Sequence, residues 1–132
     1  MASKKNKHGL PRHIPSHVKY QIRQNDGYGC VICGSLLVEY EHISPEFSEA
    51  TEHNPANMAL LCPSHHAQVT KGLLSKRTIE KHKANPHCKS HGYTSIPSYP
   101  NFDAIKILVG SNEFLNTTSI LEMNGKPLIW LE

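Results

Sequence analysis

Hydrophobic positions along this chain come in short clusters separated by polar loops, not in long amphipathic runs. Val18 and Ile22, spaced i, i+4 after Pro15, predict a short helix over Ser16–Gln24 that ends at Asn25-Asp26-Gly27. Leu36 to Ile43 has strand composition, with Leu37, Glu39 and Glu41 alternating against Leu36, Val38 and Tyr40, so one face meets a small core. Ser44 to Pro55 is a polar loop, and Met58 to Leu61 a second short strand. Pro63 suits a first helical position and Gly72 a cap, which places a helix over Pro63–Lys71. Ser75 caps a further helix that Pro86 stops after Asn85, with Leu74 and Ile79 at hydrophobic-staple positions. The expected class is α+β: strand, loop, strand and helix, flanked by short helices.

Beyond this region the pattern changes. Residues 93–102 are Ser/Pro-rich and read as a linker, and residues 103–132 as a small β element. Ile105–Val109 reads as a strand. Ser119–Met123 and Lys126–Trp130, joined by Asn124-Gly125, read as a hairpin whose last strand Pro127 confines to an edge. Three strands cannot cover Leu108, Ile120, Leu121, Ile129 and Trp130. Dimerisation through these strands, a second layer on the preceding domain, or the start of a truncated domain would each supply the missing surface.

Only 38% of the 132 residues are hydrophobic and nine are proline, so the core is modest and calls for a staple. Net charge is +3, but its distribution says more than its size. Lys4, Lys5, Lys7, Arg12, Lys19 and Arg23 stand without an acid in residues 1–23, and residues 1–11 read as a flexible basic arm. A second basic zone runs from Lys71 through Lys76 and Arg77 to Lys89, against Glu80 alone. Between them lies an acidic zone, Glu39, Glu41, Glu46, Glu49 and Glu52. Two basic flanks around an acidic centre suit a polyanion held on either side of a metal-binding site. The polar opening MASKKNKHGL predicts no signal peptide, and no stretch approaches the length of a membrane span. A cytoplasmic protein with no membrane association is expected.

The staple is legible in the cysteines. Cys30-x-x-Cys33 and Cys62-x-x-His65, with 28 residues between the pairs, carry the spacing of a closed tetrahedral Zn2+ site with three thiolates and one imidazole. Gly34 supplies the left-handed backbone such a knuckle uses. Cys88, within His87-Cys88-Lys89-Ser90-His91, is a competing fourth ligand in place of His65, or part of a separate site, or a member of a surface turn.

Inside that frame stand Glu41-His42, Asn57 and His66, with 14 residues between His42 and Asn57 and 8 between Asn57 and His66. This order resembles the HNH endonuclease family, with its ββα-metal finger, over roughly residues 12–86, which implies a nuclease domain at 12–92 and leaves the C-terminal β-hairpin as an appendage. The resemblance implies a phosphodiester hydrolase acting on double-stranded DNA, of the kind found in restriction or phage defence, with low sequence specificity. It assigns His42 as general base, Asn57 as the residue that orients it, and Glu41 and His66 as ligands of a catalytic Mg2+ or Mn2+. It also places the helix Pro63–Lys71 against the minor-groove side of the duplex, with backbone contacts from Arg12, Lys71, Lys76 and Arg77. Departures from the family pattern are Val69 and Thr70, where relatives often have Lys-Thr, and Thr70 where some add a further metal-binding His. A non-catalytic zinc-stabilised DNA-binding module and an RNA-cleaving nuclease are the alternatives. Neighbouring strand residues face opposite ways, so Glu41 and His42 share a site only if the strand ends irregularly there.

Overall fold

Met58–Leu61 is the segment around which the first part of the molecule packs. In the computed structural model, which describes residues 4–96 and 106–130, this strand (β2) pairs antiparallel with Glu39–His42 (β1), in a register that sets Glu39 opposite Leu61 and His42 opposite Met58. All four residues of β2 are fully buried, so both faces of the strand meet core. Ala59 and Leu61 join Val31, Ile43 and Ile79, while Met58 and Leu60 join Ile14, Val18 and Ile22. Period-two alternation thus feeds two separate apolar clusters from one strand.

The second cluster is lined by helix α1, Ser16–Asp26, two residues longer than expected. Asp26 is not a turn residue but a buried helical one. Its carboxylate accepts the Leu60 N–H at 2.8 Å and pairs with the Lys83 ammonium at 2.7 Å. Gly27, at φ 74°, ends the helix. β1 is shorter than the expected Leu36–Ile43, because Leu36 donates its N–H to Ser95 O (3.0 Å) and the strand partner is four residues long.

Helix α2, Pro63–Thr70, follows β2 directly and places strand, strand and helix in sequence. Lys71 is its cap, and Gly72, at φ 73°, is the left-handed residue one position beyond. Helix α3, Lys76–Ala84, is capped by the Ser75 hydroxyl, which accepts the Thr78 N–H at 3.2 Å. Leu74 and Ile79 at its start both join the first cluster. His87–His91, expected as a surface turn, is a short helix, α4. Residues 4–11 of the arm expected to be flexible close, with Arg12, into a turn in which the Asn6 amide donates to Phe47 O (2.5 Å) and Ala50 O (2.7 Å). No helix among the described residues is long and apolar enough to cross a membrane.

Residues 1–96 form one compact unit and residues 97–132 another. The expected linker at 93–102 lies outside the described residues from position 97 onward, as does Ile105. The second unit holds two hairpins where one and a lone strand were expected: Lys106–Val109 (β3) with Asn112–Leu115 (β4), and Ser119–Met123 (β5) with Lys126–Trp130 (β6). Asn124 and Gly125 both take positive φ, 54° and 73°, as the primed hairpin turn requires. Leu108, Leu115, Leu121 and Met123 are exposed within this unit.

Candidate functional site

The knuckle that begins at Cys30 is closed by two backbone hydrogen bonds, Gly34 N–H to Cys30 O at 2.8 Å and Cys30 N–H to Ser35 O at 2.9 Å. Gly34 is left-handed there, φ 76°, and a Cβ on it would lie 2.5 Å from His87 Nδ1. Cys62 is the N-cap of α2, and its Sγ accepts the His65 N–H at 3.5 Å. Together these place the ligand atoms of Cys30, Cys33, Cys62 and His65 within 4.8 Å of one another.

The spacing inside the cluster tests its fit to a metal. A tetrahedral zinc with bonds of about 2.3 Å to sulfur and 2.05 Å to nitrogen sets S···S near ~3.8 Å and S···N near ~3.6 Å. Cys33 Sγ lies 3.8 Å from Cys62 Sγ, and His65 Nδ1 lies 3.5 Å from Cys30 Sγ and 3.1 Å from Cys62 Sγ. The cluster can therefore hold a metal ion such as zinc. Partial burial, reinforced by the neighbouring Cys30, pushes the Cys33 thiol up to about 12 when no cation is present. Burial, then His82, holds the His65 imidazole below its usual range, in the neutral form that binds metal.

Cys88 is not part of this cluster. It is buried in α4, and its thiol points at Gly34 O, 3.7 Å away. Burial raises its pKa. Of the readings open for it, the structure supports neither the fourth ligand nor the exposed turn: Cys88 packs beneath the knuckle. Among the described residues no other group of three Cys, His, Asp or Glu side chains reaches metal-binding spacing.

No family model, curated protein or solved structure matches the chain.

Glu39 and Glu41 lie two apart on β1 and face α2, where both meet His66. Glu39 Oε2 is 3.0 Å from His66 Nδ1, and Glu41 Oε2 is 2.9 Å from His66 Nε2. The other oxygen of Glu41 is taken by the Lys76 ammonium, which also donates to the main-chain O of His42. Lys76, expected on a DNA backbone, makes both of these contacts to β1. Arg12 stacks over the Phe47 ring at 4.6 Å, and Lys71 and Arg77 are exposed.

His42 ends β1 and is buried. Its Nε2 lies 3.1 Å from His53 Nδ1, and His53 Nε2 lies 2.8 Å from Pro11 O. Burial, with His53 and Lys76 assisting against Glu41, lowers the His42 pKa below its usual value. Although β1 residues alternate in direction, Arg12, Glu41, His42, Phe47, His66 and Thr70 all line one cleft of about 370 Å³. β1 stops at His42, and the Ile43 N–H continues its register by donating to Asn57 O at 2.9 Å.

Asn57 adjoins His42 across a small cavity of about 70 Å³. Its side chain makes no hydrogen bond among the described residues, and its contact with the His42 segment runs through its main-chain oxygen. The ring of His42 is met by His53, from the loop between β1 and β2. Nothing in the order of residues signals the His42–His53 pair, which the loop between β1 and β2 brings together. Glu39, by contrast, was accessible from its i, i+2 relation to Glu41.

Proposed function

We propose that the chain is a metal-dependent endonuclease of the HNH kind that hydrolyses DNA phosphodiester bonds, its finger held by zinc at Cys30, Cys33, Cys62 and His65. The observation that carries this reading is the shared cleft, which puts His42 beside the Glu41–His66 pair with Arg12 alongside. Glu41 Oε2 and His66 Nε2, 2.9 Å apart, match the ~3.0 Å separation of adjacent ligands on an octahedral Mg2+ or Mn2+ with bonds of about 2.1 Å. Such an ion would be held by Glu41, His66 and waters, and would neutralise charge on the phosphate and the leaving oxygen.

The chain's own groups do the rest. His42, kept neutral by burial, takes a proton from the attacking water. Asn57 fixes the segment that carries His42 through the Ile43 N–H. Arg12, Lys71 and Arg77 grip phosphates without reading bases, which gives low sequence specificity. Lys76 counters the Glu41 charge and ties it to the end of β1.

That same ion pair favours a second reading. A carboxylate already neutralised by Lys76 has less to offer a cation, as in a zinc-stabilised DNA-binding module without catalysis. Plasmid incubated with Mg2+ or Mn2+ separates the two. The nuclease reading expects nicking by the wild type, abolished by chelation of the divalent ion and reduced ~10²–10⁴-fold in His42→Ala. Binding without nicking by the wild type would establish the second reading. Equal rates in wild type and His42→Ala would remove His42 as the base. Single-stranded RNA offered in parallel decides between polymers.

A further inference from the structure

We propose that His53 is the positioning residue for His42: it accepts the Nε2–H of His42 and so leaves Nδ1 as the nitrogen with the free lone pair. The inference rests on the reading of His42 as general base, but its structural content stands apart from that reading.

It follows from which atoms can donate. The Pro11 carbonyl can only accept, so His53 Nε2, 2.8 Å away, must carry the proton. Where both rings are neutral each has one N–H, so His53 Nδ1 is then an acceptor. His42 Nε2, 3.1 Å from that atom, must be the donor, and the proton of the neutral His42 ring is thereby placed on Nε2. Its Nδ1 is left to accept a proton from water, whose hydroxide goes to phosphorus while Nε2–H stays bonded to His53. A main-chain carbonyl thus sets one tautomer, and through it the next. The ring planes support a fixed pair: His42 and His53 sit 5.2 Å apart at 45°, and Phe47 packs 5.5 Å from His42 and stacks parallel to His53 at 6.4 Å. Pro11 is itself held in place, since residues 4–12 close by Arg12 N–H to Lys4 O at 3.1 Å.

The sequence-based assignment gave Asn57 the role of orienting the base. Its side chain is not on the His42 ring, whereas His53 is, and at hydrogen-bond distance.

The test uses the zinc-loaded full chain. Long-range ¹H–¹⁵N correlation spectra, recorded above the range in which histidines titrate, read the tautomer of each ring without any need for cleavage. His42 and His53 are both expected as Nε2–H. His53→Ala removes the acceptor and is expected to lower kcat on plasmid by ~10–100-fold with KM unchanged. His53→Asn gives up the tie to Pro11 but keeps an acceptor where Nδ1 stood, and should recover kcat to within about threefold of wild type. Recovery by Asn but not Ala separates positioning of His42 from simple anchoring of the N-terminal turn. An Nδ1–H signal on either ring, wild-type kcat in His53→Ala, or failure of His53→Asn to rescue would overturn the proposal. If the wild type proves not to cleave, the function fails while the tautomer spectrum still decides whether His53 sets the state of His42.

Discussion

Stripping the ion from the cysteine cluster should unfold residues 4–96, and the expected size of the effect follows from how little else holds them. The apolar core consists of two clusters of seven and five buried residues, joined chiefly through β2. A domain of this size is stable by about 5–15 kcal/mol. Structural zinc in finger-sized sites supplies roughly 10–16 kcal/mol, as much as the whole. The cluster also ties residues on either side of a 28-residue segment, closing the loop that carries His42 and Asn57. Thermal melts followed by circular dichroism in zinc buffers measure this directly. Each tenfold rise in free zinc adds about 1.4 kcal/mol while the site is saturated, equivalent to a Tm rise of about 5–10 °C. Cys62→Ser should abolish both zinc retention and the transition, because it removes a thiol of the cluster while its hydroxyl can still cap α2. Cys88→Ala should keep the zinc. A chelated protein that melts at the same temperature as the loaded one would refute the account of the frame.

Three other outcomes follow from particular contacts. Asp26→Ala strands Lys83 and the Leu60 N–H, and should cost about 3–5 kcal/mol in urea denaturation with zinc saturating; a cost below ~1 kcal/mol would show that the pair is not a buried one. Gly29→Ala puts a Cβ 2.4 Å from Cys88 Sγ and 3.0 Å from Gly34 O, and should destabilise by about 1–3 kcal/mol, with partial recovery in the double variant carrying Cys88→Ala. DNA affinity, read by fluorescence anisotropy, should fall steeply with salt, and Arg12→Ala should reduce the slope of log K against log salt by about 1; insensitivity to ionic strength would discard the phosphate-grip assignment.

The sequence disclosed those parts of the fold that local chemistry controls. Met58–Leu61 stood out because four apolar residues sat between a polar loop and a proline, and the Ser75 cap and the Asn124-Gly125 turn follow from side-chain and φ requirements alone. The cysteine cluster was legible because ligand spacing is a property of the backbone turn. What stayed hidden depends on contacts between distant segments. Asp26 looked like a turn residue because its partners, Leu60 and Lys83, lie 34 and 57 positions away. Lys76 looked like a free surface charge until α3 brought it against Glu41. His53 sat in a polar loop whose folding over β1 no periodicity describes. β4 is poorly marked because Asn112 and Glu113 give its strand a polar opening, although Gly110-Ser111 between β3 and β4 is a two-residue hairpin signal.

The central claim, that His42 removes a proton during phosphodiester cleavage, is tested most directly by chemical rescue. In His42→Gly the imidazole is deleted and its place beside Phe47 and His53 is vacated. With Mn2+ and end-labelled duplex DNA, this variant should cleave at least ~100-fold more slowly than wild type, and added imidazole should restore a measurable part of the rate. Cleavage by His42→Gly at the wild-type rate, or no cleavage by the wild type under the same conditions, would contradict it.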